Sequence, residues 1–361
     1  MDCLIVGGGI IGLLCARELN SIGWRVEVLD RGAIGCEASW AGGGILSPLY
    51  PWRQPGPIVQ LALWSRKHYP ELIKALIRDT GIDPEWQQCG MLWLDLEDIE
   101  TACRFCQQHK IDWENISPKA VEKRWPGLKR FTGESLWIPE IGQIRNPRLL
   151  KALKHDLNRR GVPLKENTPV IGWRVRGDRI VSAMTTTGEI RADVFIVTAG
   201  AWASSWQMDG LWQPDIRPIK GQMLLIKALK GMLQQIVQRG EHYLIPRLDG
   251  RILVGSTVEE AGFDKRPTEA AYRVLHGFAL ETLPNLKAFP VELHWAGLRP
   301  KAPSGIPYIG RHPVLLNLYY NCGHFRNGVT MGPSAAGLLK DMLLGREPIL
   351  DPGPYLPENR T

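Results

Sequence analysis

The chain has 361 residues, of which 44% are hydrophobic, and it carries a formal net charge of +7. That length exceeds what one compact core usually supports, so we expect two domains. No apolar run is long enough for a bilayer-spanning helix, which argues against a membrane span. Lysines and arginines are dispersed among acidic residues without a basic arm or an aromatic-interleaved patch, which argues against a nucleic-acid partner.

The seven cysteines are scattered and odd in number, a distribution typical of free thiols in a reducing compartment. Cys103 and Cys106 form a C-x-x-C without a second pair to complete a metal site, so we interpret them as structural. The first strand starts at residue 2 and leaves no room for a signal peptide. We therefore expect a cytoplasmic protein without a metal ion.

The first thirty residues contain two apolar strands with a helix between them. Residues 3–6 form the first strand, Ile10–Asn20 has helical periodicity, and Arg25–Leu29 is a second buried strand that leads into Asp30. The glycines that connect the first strand to the helix have G-x-G-x-x-G spacing and are Gly7, Gly9 and Gly12. This order predicts a βαβ unit that binds a dinucleotide.

Each part of this motif has a physical role. Gly7 allows the tight turn, Gly9 lets the backbone approach a pyrophosphate, and Gly12 lets helix and strand pack closely. The N-terminus of the helix offers unpaired N–H groups to the phosphates. Asp30 would accept hydrogen bonds from an adenosine ribose. The alternative is an ordinary glycine-rich turn, which leaves Asp30 unexplained.

The segment 32–46 consists mostly of small residues and includes three consecutive glycines, Gly42, Gly43 and Gly44. A backbone without bulky side chains can lie against a flat ligand and offer it N–H groups. The segment therefore predicts a second part of the ligand site, with a flexible loop as the alternative. A helix is predicted over 58–77, and Gly81 ends it.

Between residues 83 and 145 tryptophans punctuate short strands and short helices, which predicts a second domain. The next predicted elements are a helix at 146–160, a third parallel strand at 162–166, a hairpin of 170–175 and 180–186, and an apolar strand from 193. Strands then follow at 217–226, 243–246, 252–254 and 291–298, with a helix at 268–283 between the last two. The tail at 306–344 is predicted to end in a helix with Gly332 as its N-cap and Pro333 as its first residue.

The predicted fold class is α/β combined with α+β. A Rossmann-like dinucleotide-binding domain would comprise residues 1–85, 146–214 and 299–361. An antiparallel-sheet domain of residues 86–145 and 215–298 would supply the substrate wall. Because the two domains alternate along the chain, both would be discontinuous.

Two further stretches carry candidate chemistry. On a strand, Trp295, Gly297 and Arg299 share one face, and Pro300 is expected to end that strand. Arg299 could hold a substrate carboxylate by a bidentate pair or form a structural salt bridge, and the spacing leaves both open. Further on, a glycine-flanked loop with His324 and Arg326 enters a helix whose N-terminus could stabilise an anionic edge such as that of a reduced flavin.

The chain resembles a known family in eight motifs spread over nearly its whole length. They are V-G-G-G-I-I-G at 6–12, the segment 39–46, T-A-G-A-W at 198–202, P-I-K-G at 218–221, H-Y-L-I-P-R at 242–247, W-A-G-L-R-P at 295–300, P-Y-I-G-R at 307–311 and G-H-F-R-N-G at 323–328. This combination resembles the D-amino-acid oxidase-like family of FAD enzymes, and within it the members that oxidise glycine for thiamine biosynthesis.

The resemblance implies that Arg299, Tyr243 and Arg326 bind the substrate carboxylate and that Val258 affects the width of the pocket. It also implies a non-covalent FAD, because Lys301 stands where the sarcosine oxidase branch has its flavin-bonding cysteine. The residues that would contact FAD are Gly7, Gly9, Ile10, Ile11, Gly12, Asp30, Arg31, Ala38, Ser39, Gly43, Gly44, Ile45, Val170, His324, Phe325, Arg326, Asn327, Gly328, Val329 and Thr330.

The implied reaction is hydride transfer from the α-carbon of a small amino acid to flavin N5, followed by reoxidation with molecular oxygen. Glycine, sarcosine and small D-amino acids are the candidate substrates, and a homo-oligomer is implied as well. Alternatives are a D-amino-acid oxidase, a quinone-coupled dehydrogenase, a sarcosine oxidase, an NAD enzyme and a flavin-binding subunit without turnover.

Overall fold

A computed structural model of the chain describes residues 1–206 and 210–360. The helices are α1 Ile10–Asn20, α2 Ala38–Ala41, α3 Gly56–Thr80, α4 Ile99–Gln108, α5 Pro118–Arg124, α6 Asn146–Arg159, α7 Glu269–Thr282 and α8 Gly328–Leu344. The strands are β1 Asp2–Val6, β2 Arg25–Leu29, β3 Gln87–Gln88, β4 Met91–Leu94, β5 Glu114–Ile116, β6 Ser135–Ile138, β7 Gly142–Gln143, β8 Leu164–Lys165, β9 Val170–Arg176, β10 Arg179–Thr185, β11 Gly188–Ile190, β12 Val194–Val197, β13 Arg217–Ile226, β14 Ile236–Arg239, β15 His242–Pro246, β16 Ile252–Gly255, β17 Val291–Lys301, β18 Tyr308–Arg311 and β19 Leu318–Cys322.

The strands form two large sheets and two small ones. A six-stranded sheet has the order β18-β19-β12-β1-β2-β8 and is parallel except for the β18–β19 pair. An eight-stranded sheet has the order β17-β13-β16-β15-β14-β4-β6-β5 and is antiparallel except for the β14–β4 pair. The fold class read from the sequence is thereby confirmed.

The domain bounds themselves stay a prediction. The strands of the two large sheets come from the segments assigned to the two domains, with one difference at β17. This strand continues to Lys301, so Arg299 lies in the eight-stranded sheet and not in the segment that follows it.

The six-stranded sheet is covered on both faces because its strands alternate between two cores. Cys3 and Ile5 point into the core formed with α1, α3, α6 and α8. Leu4 and Val6 point into a second core, which the β9–β11 sheet helps to form. Such two-sided burial explains why the parallel strands read as continuous apolar runs.

The last long helix begins before the predicted position. It starts at Gly328 after Asn327, so Pro333 lies inside the helix and not at its first position. A proline has no N–H to donate to the carbonyl four residues earlier, which here belongs to Val329. The hydroxyl of Tyr69, on α3, donates to that carbonyl instead. Tyr69, which is distant in sequence, therefore supplies the hydrogen bond that Pro333 cannot donate to the Val329 carbonyl.

Pro300 lies within β17 and does not end that strand, contrary to the prediction. β17 lies at the edge of the eight-stranded sheet and needs hydrogen-bond partners on one side only. The carbonyl of Pro300 points away from β13 and accepts a hydrogen bond from the N–H of Phe325 at 2.7 Å. In an antiparallel strand, the N–H and the carbonyl of one residue point to the same side. The N–H that Pro300 lacks would therefore also point away from β13, and no hydrogen bond between β17 and β13 is lost.

Some strands were not anticipated in the sequence, notably β14, β18 and β19. Among the residues that the structure describes, no helix is both long and apolar enough to cross a membrane. The same residues contain no cluster of three or more metal-ligating side chains.

Candidate cofactor and substrate site

A cavity of about 530 Å³ lies where the two large sheets meet. The carboxyl ends of four parallel strands reach it, at Val6, Leu29, Thr198 and Cys322. Ligands of open parallel sheets bind at this end of the strands. The sequence-predicted residues in its wall are Gly7, Gly9, Ile10, Ile11, Asp30, Arg31, Ala38, Ser39, Gly43, Gly44, Ile45, Val170, Tyr243, Arg299 and residues 324–330.

Gly12 is outside the wall and acts in packing. A Cβ at Gly12 would lie 1.9 Å from the carbonyl oxygen of Gly7, so only glycine allows α1 to approach the turn this closely. The backbone N–H of Ile10 at the start of α1 donates to the hydroxyl of Ser39 at 2.9 Å. A hydrogen bond therefore connects the glycine motif before α1 directly to the small-residue segment 32–46.

The Asp30 carboxylate is fixed by two backbone N–H groups, those of Gly8 at 2.8 Å and Gly32 at 2.9 Å. Burial raises the pKa of Asp30 above its ordinary value, and these two hydrogen bonds oppose that rise. An ionised carboxylate can accept about four hydrogen bonds. The remaining capacity, at the edge of the cavity, suits a donor such as a ribose hydroxyl.

The small-residue segment is held by its carbonyl groups. Side chains of other elements donate to them as follows: Asn146 Nδ2 to Ser39 (2.9 Å) and Gly42 (3.0 Å), Trp295 Nε1 to Ala41 (3.1 Å), Arg247 Nη2 to Gly43 (2.9 Å) and Thr330 Oγ1 to Ile45 (2.9 Å). The flexible-loop alternative does not agree with this anchoring. The sequence analysis did not predict that Asn146 and Arg247 hold this segment. For Arg247, the pattern that could have indicated it is an arginine directly after an apolar strand.

Arg299 extends from β17 into the wall of the cavity. Its Nη1 donates to the carbonyl of Thr257 at 3.0 Å, and its Nη2 donates to the hydroxyl of Ser256 at 2.8 Å. Within residues 1–206 and 210–360, no carboxylate forms an ion pair with it, so the geometry does not favour the structural salt bridge. Burial lowers the pKa of Arg299 to about 10, which leaves it charged at neutral pH.

Tyr243 and Arg326 lie near Arg299 and interact with it electrostatically. Tyr243 is buried on β15 and is part of the cavity wall. Arg326 has Nη1 at 3.5 Å from the Glu241 carboxylate, whereas its Nη2 is buried and has no hydrogen-bond partner among the residues that the structure describes. Two guanidinium groups and a phenol thus make this end of the cavity suitable for an anion.

His324 is a buried group in the same wall. Its Nε2 has no hydrogen-bond partner within the described part of the chain. Burial lowers the pKa of His324 to about 3, so the ring is neutral at physiological pH. A neutral ring with an open nitrogen can share a hydrogen bond with a ligand but carries no charge.

Val258 is not in the wall of the cavity, contrary to the expectation for a pocket residue. Its side chain is 49% exposed. The preceding Thr257 turns its carbonyl towards Arg299 and receives the N–H of Gln222 on its hydroxyl, so Val258 projects away from the cavity. Residues that line the wall and were not anticipated include Leu49, Trp202, Gly221 and Met223.

The family follows from comparison of the whole chain with known proteins. The family described as DAO, FAD dependent oxidoreductase, matches residues 2–342. The chain belongs to the DAO family of FAD-dependent oxidoreductases. FAD is therefore the cofactor of this DAO-family protein, and the NAD alternative is wrong.

Individual relatives agree with the family. This DAO-family chain is 44% identical to the glycine oxidase of Pseudomonas aeruginosa over 99% of its length and 98% of that protein. It is 31% identical to the bifunctional protein ThiO/ThiG of a Synechocystis species over 96% of its length and 52% of that protein. The crystal structure of glycine oxidase from Geobacillus kaustophilus is similar with a TM-score of 0.93, at 29% identity and over 98% of this chain and 97% of that one.

The cavity of this DAO-family protein fits FAD. Gly43 lies in the wall and packs so closely against Ile245 that a Cβ there would be 2.8 Å from its side chain, so the glycine backbone itself faces the cavity. Asp30 retains acceptor capacity for a ribose. The buried nitrogens His324 Nε2 and Arg326 Nη2 have no hydrogen-bond partner in the described ranges 1–206 and 210–360, and a polar ligand edge can provide one. An elongated ligand with a ribose at one end and a flat polar ring at the other satisfies these groups.

Proposed function

We propose that the chain is an amino-acid oxidase whose preferred substrate is glycine. It would convert glycine, oxygen and water into glyoxylate, ammonia and hydrogen peroxide. The observation that carries this proposal is Arg299, a buried guanidinium in the cavity wall without a carboxylate partner in the described residues. The name glycine oxidase, carried by relatives that match the whole chain, supports it.

The residues proposed to hold FAD come from separate segments. The N-terminus of α1 would receive the pyrophosphate, Asp30 the ribose, and residues 38–45 and 324–330 the flavin. When bound, FAD accepts a hydride from the substrate α-carbon and passes the electrons to oxygen. Attachment would be non-covalent, as the family resemblance implies, because Lys301 stands where the sarcosine oxidase branch has its flavin-bonding cysteine.

Arg299 would pair with the substrate carboxylate, and Tyr243 and Arg326 would donate to the same group. A carboxylate held at these points leaves the α-carbon little freedom, and such positioning supplies much of the rate enhancement. No strong general base is required of the chain. The neutral His324 adds no positive charge beside the amine.

Sarcosine and small D-amino acids have the same carboxylate as glycine, so selectivity among these substrates depends on the shape of the pocket walls around the rest of the molecule. The imine formed from glycine would supply the thiazole of thiamine, as the family resemblance implies. The relative named ThiO/ThiG, in which a region like this chain is joined to a second one, supports that assignment. A homo-oligomer stays a prediction of the resemblance.

The test is peroxide release by the purified protein with glycine, sarcosine and D-alanine, measured beside its visible spectrum. We expect a yellow protein that releases peroxide with glycine as the best substrate. A yellow protein that D-alanine bleaches without peroxide would instead identify a dehydrogenase, and one that no amine bleaches would identify a subunit without turnover. The Arg299→Ala variant should keep its flavin and require far more glycine, and loss of flavin would make Arg299 structural.

A further inference from the structure

Gln222 is a fully buried glutamine on β13 whose amide is surrounded by hydrogen-bond partners. Its Nε2 donates to both carboxylate oxygens of Glu259, at 2.8 and 3.1 Å, and to the hydroxyl of Thr268 at 3.0 Å. Its Oε1 accepts from the N–H of Thr268 at 2.8 Å and contacts Nε2 of His294 at 3.0 Å. A network this complete fixes its members in one arrangement.

The same network fixes the turn that follows β16. Thr257 Oγ1 accepts from the backbone N–H of Gln222 at 3.0 Å and donates to the Glu259 carboxylate. The backbones of Lys220 and Glu259 exchange two hydrogen bonds of 2.9 Å. The segment 257–259 is therefore bound to β13 by both its main chain and its side chains.

This turn also provides the two nearer acceptors of Arg299, whose Nη1 in addition lies 3.4 Å from the Lys220 carbonyl on β13. The Thr257 carbonyl and the Ser256 hydroxyl each receive one guanidinium nitrogen, at 3.0 and 2.8 Å. A shift of the turn would shift the guanidinium, since no carboxylate of the described residues anchors Arg299.

Glu259 is the carboxylate that the network keeps from Arg299. Burial disfavours its charge, but hydrogen bonds from Thr257 and Gln222 and the nearby Lys220 ammonium hold the pKa of Glu259 below its ordinary value. It is close enough to interact electrostatically with Arg299 without pairing with it. Without the Gln222 amide, Glu259 Oε2 would keep only the Lys220 ammonium at 3.6 Å, and the carboxylate would be free to move towards Arg299 as a second cation.

We propose that Gln222 is a positioning residue that acts through Arg299: it holds Glu259 and Thr257 on β13 and so leaves the guanidinium available to a substrate carboxylate. This inference rests on the proposed function, because it needs Arg299 to bind that carboxylate. Gln222 itself lies outside the cavity wall.

The test uses the FAD-loaded protein and two readouts. One is the KM and kcat for glycine, and the other is the Kd for acetate, a carboxylate without an amine, followed by the change in the visible spectrum. In Gln222→Met, both KM and acetate Kd should rise about tenfold or more while kcat falls less, because a misplaced binding group costs up to ~100-fold. Gln222→Glu, which keeps the side-chain volume, should change both constants in the same direction.

Asn317→Leu is the matched control. Asn317 is a buried amide that exchanges hydrogen bonds of 2.8 and 2.9 Å with the backbone of Ile180 and is not itself part of the cavity wall. Its loss should lower Tm and leave acetate binding unchanged. If Gln222→Met and Gln222→Glu behave like this control, the inference about Gln222 is overturned.

The Arg299→Ala variant distinguishes the carboxylate-binding role of Arg299 from the positioning role of Gln222. If acetate binding does not weaken in Arg299→Ala, the carboxylate role of Arg299 is wrong and both proposals lose their basis. If it weakens there but in neither Gln222 variant, only the positioning role is wrong. Adding Gln222→Met to Arg299→Ala should produce no further rise in acetate Kd, and an additive rise would contradict action through Arg299.

Discussion

The guanidinium of Arg299 lies directly against the backbone of Gly221. A Cβ on Gly221 would be 2.0 Å from Nη1 of Arg299 and 2.2 Å from its Cζ. The two residues are on the paired strands β13 and β17, where Gly221 is opposite Gly297. The missing side chain at Gly221 therefore creates the space in which the arginine is held.

Gly221→Ala should displace Arg299 without removing its charge. We expect the KM for glycine to rise about 10- to 100-fold with flavin content unchanged, because the added methyl group forces the guanidinium out of its position. Gly277→Ala is the control, since a new Cβ at Gly277 on α7 would meet no atom of the described residues within 4 Å outside its own stretch of helix. An unchanged KM in Gly221→Ala would mean that Arg299 can move without consequence for binding.

Asp30→Ala should weaken FAD retention. A hydrogen bond to a charged group contributes about 1.5–3 kcal/mol, so the Kd for FAD should rise roughly 10- to 100-fold. The measurement is flavin fluorescence during equilibrium dialysis. Glu27→Gln, on the strand that leads into Asp30 but paired with Lys165, should bind FAD like the unmodified protein. Unchanged flavin content in Asp30→Ala would remove the ribose assignment.

Tyr69→Phe should destabilise the fold by about 1–3 kcal/mol, because it leaves the buried carbonyl of Val329 without a donor. The result would appear as a lower Tm. The double variant Tyr69→Phe with Pro333→Ala should regain most of that loss, since alanine restores the N–H that proline lacks. If the second substitution brings no recovery, the carbonyl of Val329 is not the group that the tyrosine serves.

Stability should fall with pH partly through His324. Its folded-state pKa of about 3 is below the ordinary value of 6.5, so between these limits the unfolded chain binds more protons than the folded one. The free energy of unfolding then decreases as pH falls through this window, by about 1.4 kcal/mol per pH unit for one group. With FAD in excess, His324→Leu should lose less Tm between pH 6 and pH 4.5 than the unmodified protein. An exposed control, His155→Leu, should keep the full pH dependence.

Local patterns predicted the elements that depend on neighbouring residues. Ile10–Asn20 and Arg25–Leu29 have the expected bounds, because a glycine motif and a switch in hydrophobic periodicity define both. The same is true of the strand Arg217–Ile226. Nearly all the residues expected around the cofactor also line one cavity, since the carboxyl ends of parallel strands meet at one edge of the sheet.

The misplaced features depend on partners distant in sequence. Pro333 lies inside a helix because the Tyr69 hydroxyl donates to the Val329 carbonyl. Pro300 continues its strand because β17 is the edge strand of its sheet in the described part of the chain, where only the carbonyl of Pro300 is used, by Phe325. Val258 lies at the surface because the turn before it is fixed by Gln222. Tertiary contacts of this kind leave no periodic trace in the sequence.

The strand order of the six-stranded sheet has a consequence for synthesis. β1 pairs with β12 and β12 with β19, so the sheet is completed only when residues near the end of the chain have been made. Residues 324–330 of the cavity wall come later still. During translation the apolar strands β1 and β12 therefore stay without their last partner until β19 has been made, and the cofactor site stays incomplete until residues 324–330 follow.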